Sequence, residues 1–120
     1  MKPRIDRTKF GEITVDGTTY DHDIVIRLDG EVKKRKKKLS KEVYGTSHTI
    51  SIAEAEHIYQ DGAQCVLIGS GQEGMVALSP EAQDFFEQKN CRVELQPTPE
   101  AIKTWNHMEG SAVALFHVTC

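Results

Sequence analysis

The sequence predicts a three-layer α/β domain: a mixed central sheet covered by helices, with an N-terminal β-hairpin addition. Three observations carry this expectation. From Ile52 onward, helix and strand signals alternate to residue 118, the pattern of a sheet covered by helices. Before that, the chain shows period-two alternation broken by Asp16-Gly17 and Asp29-Gly30, both strong hairpin turns. Two runs, Cys65–Ile68 and Ala112–Phe116, are continuously apolar, as strands covered on both faces are.

Residues 1–9 are polar and read as a mobile lead-in to a single domain spanning 1–120. Phe10–Val15 alternates as a half-buried strand, a second strand resumes at Thr18–Tyr20, and Asp23–Leu28 is a third. Residues from Glu31 pair back after the Asp29-Gly30 turn, with lysines outward. Tyr44–Thr49 has no regular period and reads as a loop. Ser51 then caps a helix, with Glu54 three residues on as a capping box. Ile52, Ala55, Ile58 and Tyr59 form its apolar stripe, and Gly62 supplies a left-handed stop.

Beyond Cys65–Ile68 come the glycines of Gly69-Ser70-Gly71-Gln72-Glu73-Gly74, then a short strand, Met75–Leu78. Ser79-Pro80-Glu81 starts a helix: a capping serine, proline at the first position and an acid at the positive dipole end. The strands flanking this helix should be parallel, joined by a right-handed crossover. Cys91–Leu95 is a strand, and Thr98-Pro99-Glu100 repeats the start signal. Ala101, Ile102, Trp105 and Met108 are the buried stripe of that last helix. Ala112–Phe116 reads as a central strand.

Composition bounds the function. Apolar residues make up 38% and charged residues 28% of 120, a globular rather than disordered balance. No run approaches a membrane helix, and the first residues carry charge without an apolar stretch, so neither a membrane span nor a secretory signal is expected. Cys65, Cys91 and Cys120 are odd in number and lack metal-site spacing, which fits buried thiols in a reducing cytoplasm. The net charge is −3, yet residues 31–42 hold seven basic and two acidic side chains. This island, Lys33, Lys34, Arg35, Lys36, Lys37 and Lys38, is either a solvated edge that discourages strand pairing or a patch for an anionic partner. No aromatic interleaves it before Tyr44, which disfavours nucleic acid.

The glycine run fits the spacing of a dinucleotide turn, but the helix that such a turn requires starts only at Ser79. A tight turn, or a small-ligand crevice at the carboxyl end of the Cys65–Ile68 strand, fits better. His48 stands beside Thr46 and Ser47 in the irregular loop, where functional groups concentrate. The candidate ligand-binding set is therefore Ser47, His48, Gly69, Ser70, Gly71 and Ser79. His22, His57 and His107 read as polar-surface side chains. His117 and Cys120 are half a metal site at most and point to opposite faces of a strand. No metal site, cofactor or catalytic set is expected.

Three segments also resemble a known family: Tyr44-Gly45-Thr46-Ser47-His48; Val66-Leu67-Ile68-Gly69-Ser70-Gly71; and Thr98 through Trp105-Asn106 to Phe116-His117-Val118-Thr119-Cys120. They are similar to the small single-domain family that includes the animal adipogenesis-associated protein, a mitochondrial complex I assembly factor, and uncharacterised archaeal and bacterial proteins. The resemblance spans Phe10 to Cys120, and the closing His-x-Thr-Cys is its most specific part. It implies a three-layer α/β fold, no catalytic residues to carry over, and a cytosolic domain, in some members tied to assembly or signalling through protein contacts. The basic block is heavier here than in the animal protein. The leading expectation is thus a non-enzymatic interaction or assembly module with a protein partner or a second copy of itself. The alternative is a small-molecule or anion-binding protein, with or without enzymatic activity; nucleic-acid binding through Lys33–Lys38 ranks below both.

Overall fold

The computed structural model describes residues 2–120. A five-stranded mixed sheet holds the chain together. Its strands are β4 (Ile24–Ile26), β5 (Val32–Lys34), β7 (Cys65–Gly69), β9 (Arg92–Gln96) and β10 (Ala112–Phe116), in the order β5-β4-β10-β7-β9. The apolar run Ala112–Phe116 is central, as its composition requires. It pairs parallel to β7 and antiparallel to β4.

Successive residues of these strands point to opposite faces, and both faces are covered. On one lie Ile24, Ile26, Cys65, Leu67, Ala114 and Phe116, packed with Ala101 and Trp105 of α4 (Thr98–His107). Ile5, Ile13 and Val15 join that core from a three-stranded antiparallel sheet, β1 (Ile5–Lys9), β2 (Glu12–Val15) and β3 (Thr18–Tyr20). On the other face Val25, Val66, Ile68, Val113 and Leu115 meet Ala55 and Ile58 of α2 (Ile52–Ile58) and Ala82 and Phe86 of α3 (Pro80–Gln88). The Asp16-Gly17 turn has φ of 47° and 82° and joins β2 to β3, as a primed hairpin turn does.

Several elements differ from the sequence reading, each for a visible reason. The supposed mobile lead-in contains β1; Ile5 is 1% exposed, and its amide and carbonyl are both bonded by the Asn106 side chain. The stretch read as basic surface and loop holds a short helix, α1 (Lys38–Tyr44), ended by Gly45 at φ 72°. Ala77-Leu78 (β8) does not join the main sheet. It pairs parallel to β6 (Thr49–Ile50), so the parallel partner of β9 is β7. Ser51 accepts from the Glu54 amide at 3.2 Å, but the Glu54 side chain turns inward instead of closing a capping box. Ile52, expected in the buried stripe, is 43% exposed, and Glu54 is buried in its stead.

Candidate functional site

Where β10 ends and β4 begins, one carboxylate gathers three donors. Asp23 immediately precedes β4, and His117 and Val118 follow β10. Asp23 Oδ2 accepts from His117 Nδ1 at 2.7 Å and from Arg35 Nη1 at 2.9 Å; Oδ1 accepts from the Val118 amide at 2.8 Å. Burial works against ionisation of this carboxyl. The His117 and Val118 hydrogen bonds, the attraction of His117 and the Arg35 contact outweigh it, and its pKa falls to about 2.

Arg35, expected in the solvated basic block, is 4% exposed and the hub of the interior network. Its Nε and Nη2 donate to Glu54 Oε2 and Oε1 at 2.6 and 3.0 Å, and Nη2 also reaches the Ser47 carbonyl at 2.8 Å. Burial alone would lower the guanidinium pKa, but Glu54 and Asp23 raise it. The planar fork suits this bidentate pairing as an ammonium would not. Ser40 donates to Glu54 Oε1 and accepts from the Ser51 amide at 2.9 Å. The inward turn of Glu54 thus ties α2 to β5 and α1.

Because Asp23 is ionised, it only accepts, so His117 Nδ1 carries a proton. Nε2 then faces the Thr119 hydroxyl at 3.1 Å. The ring of His48 stands edge-on to His117, centroids 5.5 Å apart. These groups border a cavity of about 190 Å³ whose wall also includes His22, Lys34, Lys37 and Ser47. Among the described residues no group of three or more His, Cys, Asp or Glu is arranged to hold a metal.

The candidates read from sequence divide. Ser47 and His48 line this cavity; Gly69, Ser70, Gly71 and Ser79 do not. The glycine turn is closed by the chain itself. The amide of Gly71 donates to Thr98 Oγ1 and that of Gln72 to the Thr119 carbonyl, while Glu73 and Met75 both donate to the Cys120 carbonyl. A Cβ on Gly69 would lie 2.7 Å from Phe116, and one on Gly71 2.3 Å from the Cys120 backbone. These glycines admit a close chain approach rather than leaving an open crevice. Thr98, expected as a cap, instead donates to the His117 carbonyl at 2.6 Å, so α4 starts without a side-chain cap. Ser79 does cap α3, accepting from Ala82 at 3.1 Å. Of the basic block, Lys33 and Lys34 stand on β5, Lys36 and Lys37 follow Arg35, Lys38 opens α1, and all five lysines are exposed.

The sequence reading gave no site role to Asp23 or Thr119, and it took Arg35 as basic surface, Glu54 as a capping-box acid and His117 as half a metal site at most. Signals existed for three of them. Glu54 is four residues before Ile58 and so shares its buried face. Arg35 is the one arginine in a lysine run, and His117 extends a strand buried on both faces. Burial also decides the cysteines: it raises Cys65 and holds Cys91 near 11, so neither is a ready thiolate.

Fold and cavity together define a small mixed α/β domain with a hollow of about 190 Å³, lined mainly by polar residues, at one end of its sheet. Residues 5–117 match the family described as "Protein of unknown function (DUF498/DUF598)", and the chain belongs to that family. It is similar to the conserved hypothetical protein PH1505 of Pyrococcus horikoshii, with 35% identity over 98% of this chain and 99% of that one and a TM-score of 0.89. A protein named MT938 shares 32% identity over 99% and 100% of the two chains, with a TM-score of 0.83. A Bordetella pertussis protein described as a Mth938-like domain is 16% identical over 97% and 85%, with a TM-score of 0.62, and shows the fold alone. No helix among the described residues is long and apolar enough to cross a membrane.

Proposed function

We propose that this protein binds a small polar molecule in the hollow over His117, and that His117 Nε2 exchanges a proton with it. The supporting observation is the alignment Asp23–His117–Thr119. An imidazole held at Nδ1 by an ionised, buried aspartate has its second nitrogen fixed toward a hydroxyl at a cavity wall. General acid–base groups are held in this way. Lys34 and Lys37 at the rim favour an anionic ligand. The site lies one strand over from the carboxyl end of β7, at that of β10. A thermal-shift panel of carboxylates, phosphate esters and nucleotides is the test. A ligand at about 100 times its Kd adds about 2.7 kcal/mol, and His117→Gln should abolish the shift. A flat response across the panel, or an undiminished one in His117→Gln, contradicts the reading.

A second reading, a cytosolic interaction or assembly module akin to the animal and mitochondrial proteins that the sequence resembles, draws support from exposed apolar side chains. Val43 and Tyr44 on α1 and Ile52 on α2 are 59%, 40% and 43% exposed, and interfaces concentrate such groups. Light scattering of the wild type and of Val43→Glu tests self-association through them; an unchanged monomer in both removes that version. A nucleic-acid groove along Lys33–Lys38 has less support, since the guanidinium of Arg35 is committed to the interior.

A further inference from the structure

Lys34 also borders a second hollow of about 190 Å³, to which His117 does not contribute. Its wall is Val25, Arg27, Lys33, Lys34, Lys36 and His57. Every titratable group in that wall is basic, on a chain whose net charge is −3. We propose that this basin is a binding site for the phosphate group of a small phosphorylated molecule, separate from the His117 hollow.

Lysines on an edge strand are explained by protection against strand pairing. That does not explain why two further basic groups converge on them from other elements. Arg27 follows β4, and its Nη1 donates to the His57 carbonyl at 2.9 Å. The guanidinium is therefore tethered at one nitrogen, and among the described residues its other N–H groups make no hydrogen bond, so they can meet a ligand's oxygens. His57 comes from the last turn of α2. Two neighbouring counter-charges are weak or spent. Glu31 stands 3.8 Å from Lys33, with both side chains more than half exposed, and Glu54 is bound by Arg35. Among the described residues neither Lys34 nor Lys36 has an ion pair.

Burial, then the charges of Lys36 and Arg27, hold His57 below its ordinary pKa against the pull of Glu54, with Lys33 adding to the effect. Beside burial, the ring thus sits in a positive field that Glu54 offsets only in part, and a dianion would relieve it. Flexible ammonium groups from Lys33 and Lys36 beside one planar fork, with Lys34 at the border, suit a phosphate better than a single carboxylate. An anion of two charges offsets more of the mutual repulsion.

The test is an NMR titration of the His57 ring with inorganic phosphate at low ionic strength. Saturable shifts and an upward move of the His57 pKa are expected. Lys33→Gln and Lys36→Gln should each weaken the response about fivefold, the worth of about 1 kcal/mol per screened charge contact. Both side chains are exposed, so folding should be untouched, and unchanged thermal unfolding verifies it. Lys34 borders both hollows and is left intact. His117→Gln should leave the His57 response as it was, which separates this site from the acid–base hollow. A His57 ring that ignores phosphate overturns the proposal, as does an affinity indifferent to both lysine variants or lost in His117→Gln. Single-stranded oligonucleotide binding with the salt dependence of many phosphates would reassign the basin to a nucleic-acid groove and overturn it too.

Discussion

At the scale of single residues, Asp23 bears the most consequence. It joins the start of β4 to the end of β10 and sets the orientation of His117. Its folded pKa of about 2 lies below the ordinary 3.8, so the stabilisation is present above the ordinary value. It is lost as pH falls from there through the folded value. The linkage amounts to about 2 kcal/mol. Acid unfolding followed by circular dichroism should show this limb, and Asp23→Asn should start less stable and be flatter across it. Equal acid slopes in the two proteins would show that the carboxylate carries no such linkage. The sequence announced Asp23 poorly. It opens the Asp23–Leu28 strand beside the polar-loop residues Asp21 and His22, and nothing local says that a donor 94 residues away will claim it. Arg35 was hidden for the opposite reason: five lysines around it set the character of the run, while the single guanidinium goes inward.

At the scale of elements, local chemistry was legible wherever it was self-contained. The Asp16-Gly17 hairpin, the Ser79 cap, the apolar β7 and β10 and the α4 stripe are all encoded within a few residues. Legibility ended wherever a polar group had a distant use. Thr98 carries the signature of a cap, yet its hydroxyl bridges the Gly71 amide and the His117 carbonyl. Glu54 looks like half of a capping box and serves Arg35. The glycine turn invites a ligand reading because glycine signals close approach without naming what approaches. Here it is the segment Thr119-Cys120. Gly71→Ala should therefore destabilise the fold by about 1–3 kcal/mol, through its φ of 107° and the clash with the Cys120 backbone. Urea denaturation measures this. The same variant should also disturb His117, whose Cδ2 would lie 2.8 Å from the new methyl. A neutral effect on both would mean that this clasp is slack.

At the scale of the whole molecule, the order β5-β4-β10-β7-β9 puts β10, which follows the other four strands in sequence, in the middle of the sheet. Until Ala112–Phe116 is inserted, β4 and β7 each present an open edge, and both are apolar on both faces. Unpaired apolar edges recruit other chains. A chain cut after Gly110 should accordingly aggregate under conditions where the full protein stays dispersed, as read by light scattering; a soluble, monomeric fragment would contradict this. Slow folding follows from the same wiring, because closure over long sequence separations precedes any reward from the central pairings. Asp23 and His117 meet only across that closure. During synthesis, then, a nascent chain can display its hairpins and α2 early, but Asp23 and His117 stay apart until β10 is threaded home.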